Sequence, residues 1–168
     1  MITYVTCHRW ERPNFCALLT ERCIDHENKE PMEVNLAVLA DYASLSKDNK
    51  LNVLGIFDQI NPPVLPFRLP QMFLVSSISA EPTEIGREFQ FEILLWDSDG
   101  NEVLAIEQPI QFAQPDRPGG QAATNVIIGL SNVPFERAAD YVFYIRIGGE
   151  QRRRINLRVN EPRGESQS

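Results

Sequence analysis

Asp97 and Asp99 stand two residues apart in the run Asp97-Ser98-Asp99-Gly100-Asn101, a spacing that puts two carboxylates on one tight reversal. Carboxylates gathered from separate loops are the ligands Ca²⁺ prefers, with ~6–8 oxygens in all. Asp41, Asp48 and Asp58 are acids near other chain reversals, so a calcium-dependent or small-ligand site would draw on Asp97, Asp99, Asp41 and Asp58. The run does not match the helix-flanked calcium loop, which needs its Gly at the sixth position and a Glu at the twelfth. Asp-Gly is also ordinary turn chemistry, and that reading outweighs the metal. Two acids converging in a cleft would serve a carboxylate-based hydrolase, the least favoured of these readings.

The second chemistry is cationic. Arg152, Arg153 and Arg154 are consecutive, with Arg146 and Arg158 close by. Guanidinium forks hold phosphates or the carboxylates of an acidic partner segment. The same charges also defend an edge strand against unwanted pairing, the plainer reading. Arg154 and Arg158 share a strand face, with Arg146 across a hairpin from them. Trp96 and Tyr144 fall on the faces opposite the main apolar sets of their strands. They form either an open patch for a protein partner or half-buried caps at the core's rim, with the rim preferred.

Nucleophilic catalysis is poorly supplied. All three cysteines (Cys7, Cys16, Cys23) and both histidines (His8, His26) precede Glu27, and there are none after it. A Ser or Cys nucleophile usually needs a nearby His, and no G-x-S-x-G turn is present. Zinc could use Cys23-x-x-His26, but Cys7-His8 with Cys16 supplies no matching half-site. The preferred reading of residues 1–31 is a poorly ordered extension, with Met32 an alternative start. No catalysis and no cofactor are expected. With 16 basic against 23 acidic side chains and a net charge of −7, the chain is not suited to nucleic acid or anionic membranes. No apolar run reaches the ~20 residues of a spanning helix.

These residues must be positioned by strands. Period-two alternation recurs through the chain: Val34 to Ala40, Leu51 to Phe57, Gln71 to Ala80, Phe89 to Leu95, Glu102 to Phe112, Val126 to Leu130, Tyr141 to Ile147 and Ile155 to Val159. Lys47 to Lys50, Asp97 to Asn101 and Gly148-Gly149-Glu150 link pairs of these as hairpins. The prolines from Pro62 to Pro70 mark a crossing between sheets. The stretch from Asn132 to Asp140 is a connector with room for one helical turn over Phe135 to Ala139. A long loop, Ala113 to Asn125, is the roomiest place for a grafted function.

About eight strands with no amphipathic helix must bury their apolar faces against one another. The expected fold is all-β, an antiparallel β-sandwich, immunoglobulin-like or C2-like, with a closed β-barrel as the alternative. It spans residues 32–162, with 163–168 a flexible tail.

Ala40-Asp41-Tyr42-Ala43 followed by Lys50-Leu51-Asn52-Val53-Leu54-Gly55-Ile56-Phe57-Asp58 resembles the opening of a bacterial family of small proteins of unknown function. Pro70 to Val75, Tyr141 to Ile145 and Gly148-Gly149-Glu150 are similar to it as well. The likeness runs from Met32 to Val159. It implies a compact bacterial β domain and assigns no functional residues. The expected role is therefore a non-catalytic binding module in the cytoplasm. Its partner would be another protein, met through the Ala113–Asn125 loop or the arginine-bearing last strand.

Overall fold

The structure is a computed structural model that describes residues 32–114 and 122–162. The expectations for residues 1–31, for 163–168 and for the middle of the Ala113–Asn125 loop lie outside those residues. Among the described residues nine strands form two sheets, as the alternation requires. One sheet has the order β2(Leu51–Phe57), β1(Met32–Leu45), β4(Phe67–Ala80), β7(Ala122–Phe135). The other has the order β3(Gln59–Ile60), β9(Glu150–Val159), β8(Ala139–Ile147), β5(Glu88–Trp96), β6(Glu102–Gln111). All pairings are antiparallel except β3 with β9. The sheets do not close into a barrel, so the sandwich is the architecture.

The core lies between the sheets. Phe91, Ile93 and Leu95 of β5 and Tyr141, Phe143, Ile145 and Ile147 of β8 face Leu39, Met72, Leu74, Ile78, Val126, Ile128 and Leu130, all buried. Burying each Val, Leu, Ile or Phe contributes about 1.5–3 kcal/mol, which makes these alternating faces the main source of stability. The order β9-β8-β5-β6 is that of the G-F-C-C′ strands of an immunoglobulin variable-type sheet. The Tyr141 hydroxyl, near the start of β8, donates to the Arg137 carbonyl at 3.2 Å. A tyrosine at that corner, bonded a few residues back, is a mark of the same fold.

Several boundaries differ from the sequence reading. Leu36, Val38 and Ala40 do not continue the inward row of Val34. A bulge between Val34 and Leu36 shifts the register, so Leu39 turns inward and Ala40 outward. One extra residue exchanges the two faces of a strand. β4 starts at Phe67 and runs through Pro70, and β7 runs through Pro134. β7 also starts at Ala122, so residues 122–125 of the expected loop are strand. It continues to Phe135, and β8 starts at Ala139, which leaves three residues and no helical turn between them.

The β1–β2 hairpin folds back on its own sheet. Ser77 of β4 is level with both Leu36 and Asn125. A hairpin running straight on from Ala40 would carry Asn49 about 30 Å further along. Instead the Asn125 Nδ2 donates to the Asn49 carbonyl at 3.1 Å. The bend sits at Gly55, whose φ of +65° is left-handed and which lies between the paired residues Leu54 and Ile56. A Cβ there would run into the Asp41 carboxylate on the neighbouring strand. The folded hairpin covers the outward face of β4: Tyr42 meets Phe73 edge to face at 5.8 Å, and Val75, two residues on, is fully buried.

Candidate functional site

The outward face of the five-stranded sheet collects most of the residues that the sequence singles out. Register fixes three rows across it. Arg154, Tyr144, Leu94 and Ala105 make the middle row; Asn156, Val142, Trp96 and Glu102 lie on one side of it, and Gln151, Arg146, Glu92 and Glu107 on the other. These side chains face outward because Leu95, Phe143 and Ile145, their chain neighbours, fill the core. Trp96 and Tyr144 meet edge to face with centroids 5.8 Å apart, and Trp96 is 37% exposed. They are therefore not caps at the rim of the core but one aromatic pair on the solvent side. Leu94, Trp96, Tyr144, Arg146 and Gln151 line a shallow groove there.

Arg146 is the best-fixed cation of the face. Its Nη1 lies 3.0 Å from Glu92 Oε2, and its Nη2 donates to the Gly149 carbonyl at 2.7 Å. That carbonyl belongs to the β8–β9 turn, where Gly148 and Gly149 both have positive φ. The guanidinium is thus anchored in the groove that the aromatic pair also lines. Arg158 lies 3.9 Å from Asp140, both well exposed, a pair worth little in water. Arg153 and Arg154 are exposed and have no ion-pair partner among the described residues. Arg154 is level with Tyr144, whereas Arg153 is level with the core residue Ile145, so consecutive arginines point to opposite sides.

Arg152 departs from the expected exposed cluster. Its side chain is only 5% exposed and it pairs with Glu150. The cause is the bulge at Ile145/Arg146, which takes Arg152 out of the ladder between Gln151 and Arg153. The sequence shows three equivalent arginines; the backbone makes them three different ones.

The acids are arranged for a turn. Asp97 Oδ1 accepts the N–H groups of Asp99 at 2.9 Å and Asn101 at 2.8 Å, and Oδ2 accepts the Asn101 side chain at 3.1 Å. Arg137 binds Asp97 at 3.3 Å and also Asp99, so a cation of the chain itself already sits between the two carboxylates. The Asn101 side chain and backbone hold the Asp97 carboxyl below its usual range, and the hydrogen bond and charge of Asp99 push the Arg137 guanidinium above its own. Asp41 lies beside Gly55 on the other sheet, and Asp58 occupies the crossing from β2 to β3, its carbonyl accepting the Arg158 N–H at 2.9 Å. Among the described residues, no three His, Cys, Asp or Glu side chains are grouped to hold a metal. Nor is any described helix long and apolar enough to cross a membrane.

Sequence reading missed Leu94 and Val142, which complete the apolar part of the outward face. Each breaks a polar row with an apolar residue, and that was the available signal.

Comparison with known proteins adds the family. No curated protein sequence matches the chain. Among solved structures, the chain is similar to the Pseudomonas fluorescens alkylpurine DNA glycosylase AlkC at 8% identity and a TM-score of 0.45, covering 78% of this chain and 31% of that one. It is similar to the C-terminal domain of wzt at 14% identity and a TM-score of 0.45, covering 78% and 74%. A β-glucosidase from Listeria innocua follows at 9% identity and 0.42, covering 75% and 16%. The chain thus spans about a third or less of the glycosylase and the glucosidase. None of the three carries an argument about what this chain does. The sequence also matches a protein family over residues 35–160, a stretch that takes in all nine strands apart from the first three residues of β1. The chain belongs to DUF6941, a family of unknown function.

Proposed function

We propose that this chain is a non-catalytic binding domain that recognises another protein through the outward face of its five-stranded sheet. The observation that carries this is the solvent-side pair of Trp96 and Tyr144, whose tyrosine neighbours the anchored Arg146 and the exposed Arg154. Trp, Tyr and Arg are the residue types enriched where protein interfaces concentrate their binding energy. The aromatic pair and Leu94 supply apolar area, and the guanidinium groups supply orientation and a preference for acidic partners. A bacterial cytoplasmic setting belongs to this reading, since the described domain builds its core without a cysteine.

The test compares the wild-type chain with a Trp96→Ala/Tyr144→Ala variant as bait in lysate of the source organism. A captured protein that is lost with the variant, while the variant remains folded at the temperature of the capture, supports the reading. A capture profile indifferent to both substitutions and to Arg154→Glu sinks it.

A further inference from the structure

We propose that β2 pairs antiparallel with β2 of a second copy of this chain, joining the two four-stranded sheets into one across a two-fold axis at Leu54. Among the described residues β2 has one neighbour, β1, and is an edge of its sheet. Its seven residues, LNVLGIF, include no charge and no proline. The other edges are defended: β9 carries the exposed Arg153 and Arg154 beyond its short contact with β3, and β6 carries Glu102, Glu107 and Pro109. β7 carries Pro134 and a left-handed Asn132, and the folded hairpin ties to it at Asn125. Edges are normally blunted by such charges, prolines and irregularities, and β2 has only the bend at Gly55. Leu54 and Ile56 are 62% and 63% exposed, and Tyr42 and Leu45 of the same hairpin are 51% and 44% exposed.

Charge selects a second copy as the occupant. β2 is flanked by Lys50 on one side and Asp58 on the other. Both lie four residues from Leu54, so antiparallel pairing about Leu54 sets Lys50 of each copy opposite Asp58 of the other. Neither residue has an ion-pair partner within its own chain among the described residues. The pairing thus forms two cross-strand ion pairs and places no like charges together, and Leu54 meets its own counterpart. A two-fold interface must be self-complementary in this way. The same operation applied to β9 would set arginine against arginine. This surface lies on the sheet opposite the Trp96 face, so the two proposals stand or fall separately.

Sedimentation equilibrium of the full chain tests it. The expected result is a dimer that Leu54→Lys converts to a monomer that still unfolds cooperatively, since two lysines would then meet on the axis. Lys50→Asp and Asp58→Lys each raise the dissociation constant about tenfold, because like charges then oppose at both ends. The double reversal K50D/D58K restores it. A wild-type chain that stays monomeric at the highest soluble concentration overturns the proposal. So does a dimer that survives Leu54→Lys, or a double reversal no better than the single ones.

Discussion

Asn125 on β7 donates its side-chain amide to the carbonyl of Asn49, 76 residues earlier, across the outward face of the four-stranded sheet. That bond records a hairpin folded back over β4, and the fold-back depends on Gly55. Gly55→Val combines a left-handed φ with a collision against Asp41. It should cost roughly 1–3 kcal/mol of stability, readable by urea unfolding. Asp41→Ala in the same chain removes the collision but not the backbone strain, so it should return only part of the loss. Amide exchange should rise across 42–54 and not in β5 or β8. Full recovery on removing Asp41 would show that strain at Gly55 plays no part.

The alternating rows were legible wherever a strand itself takes in no extra residue and buries one face. Phe89 to Leu95 and Tyr141 to Ile147 are such cases, and both pack as their pattern requires. What stayed hidden came from events without a local signature. The bulge after Val34 exchanged inward and outward residues in β1, and a second bulge withdrew Arg152 from its neighbours. Val75 is buried on an outward face only because a distant hairpin covers it. The prolines up to Pro70 suggested a crossing and Asn132 to Asp140 a connector, yet Pro70 and Pro134 both sit inside strands, beside a register gap or near an end. The candidate face was half legible. The odd faces of Trp96 and Tyr144 could be counted from the sequence, but their mutual contact across two strands could not.

Tyr141 sits at the corner where the chain crosses from β7 to β8. Its ring packs against Phe135 at 5.0 Å and its hydroxyl donates to Arg137. Tyr141→Phe keeps the ring and removes only the hydroxyl, so it should cost about 0.5–1.5 kcal/mol, the net worth of one such bond. Arg137 also binds Asp97 and Asp99, so the corner and the β5–β6 turn share one residue. Combining Tyr141→Phe with Asp99→Asn should therefore deviate from additivity in a double-mutant cycle. Strict additivity would mean that the two contacts act independently.

Asp97 gives the turn a pH dependence of known sign. Its carboxyl is held below the usual value, chiefly by the Asn101 side chain and backbone. A depressed folded-state value means that its stabilising contribution is present above the unfolded value and is lost as acid protonates the folded form. The wild-type melting temperature should therefore fall below about pH 4 more steeply than that of Asp97→Asn. The variant should start lower at neutral pH and the two curves should converge in acid. Millimolar Ca²⁺ should leave the wild-type melting temperature unchanged, because Arg137 already occupies the position between the carboxylates. Stabilisation by Ca²⁺ that Asp97→Asn abolishes would contradict this arrangement.

Leu95 and Trp96 are adjacent and should behave as opposites. Leu95 is fully buried between the sheets, whereas Trp96 is 37% exposed and packs edge to face on Tyr144. Leu95→Ala leaves a cavity and should cost about 2–5 kcal/mol. Trp96→Ala forfeits an aromatic pair on an open face and should cost no more than about 1.5 kcal/mol. Its larger effect should be on partner capture, which Leu95→Ala should leave intact in whatever fraction stays folded. If Trp96→Ala unfolds the domain as readily as Leu95→Ala, the ring supports the sandwich and the outward face loses its claim as a recognition surface.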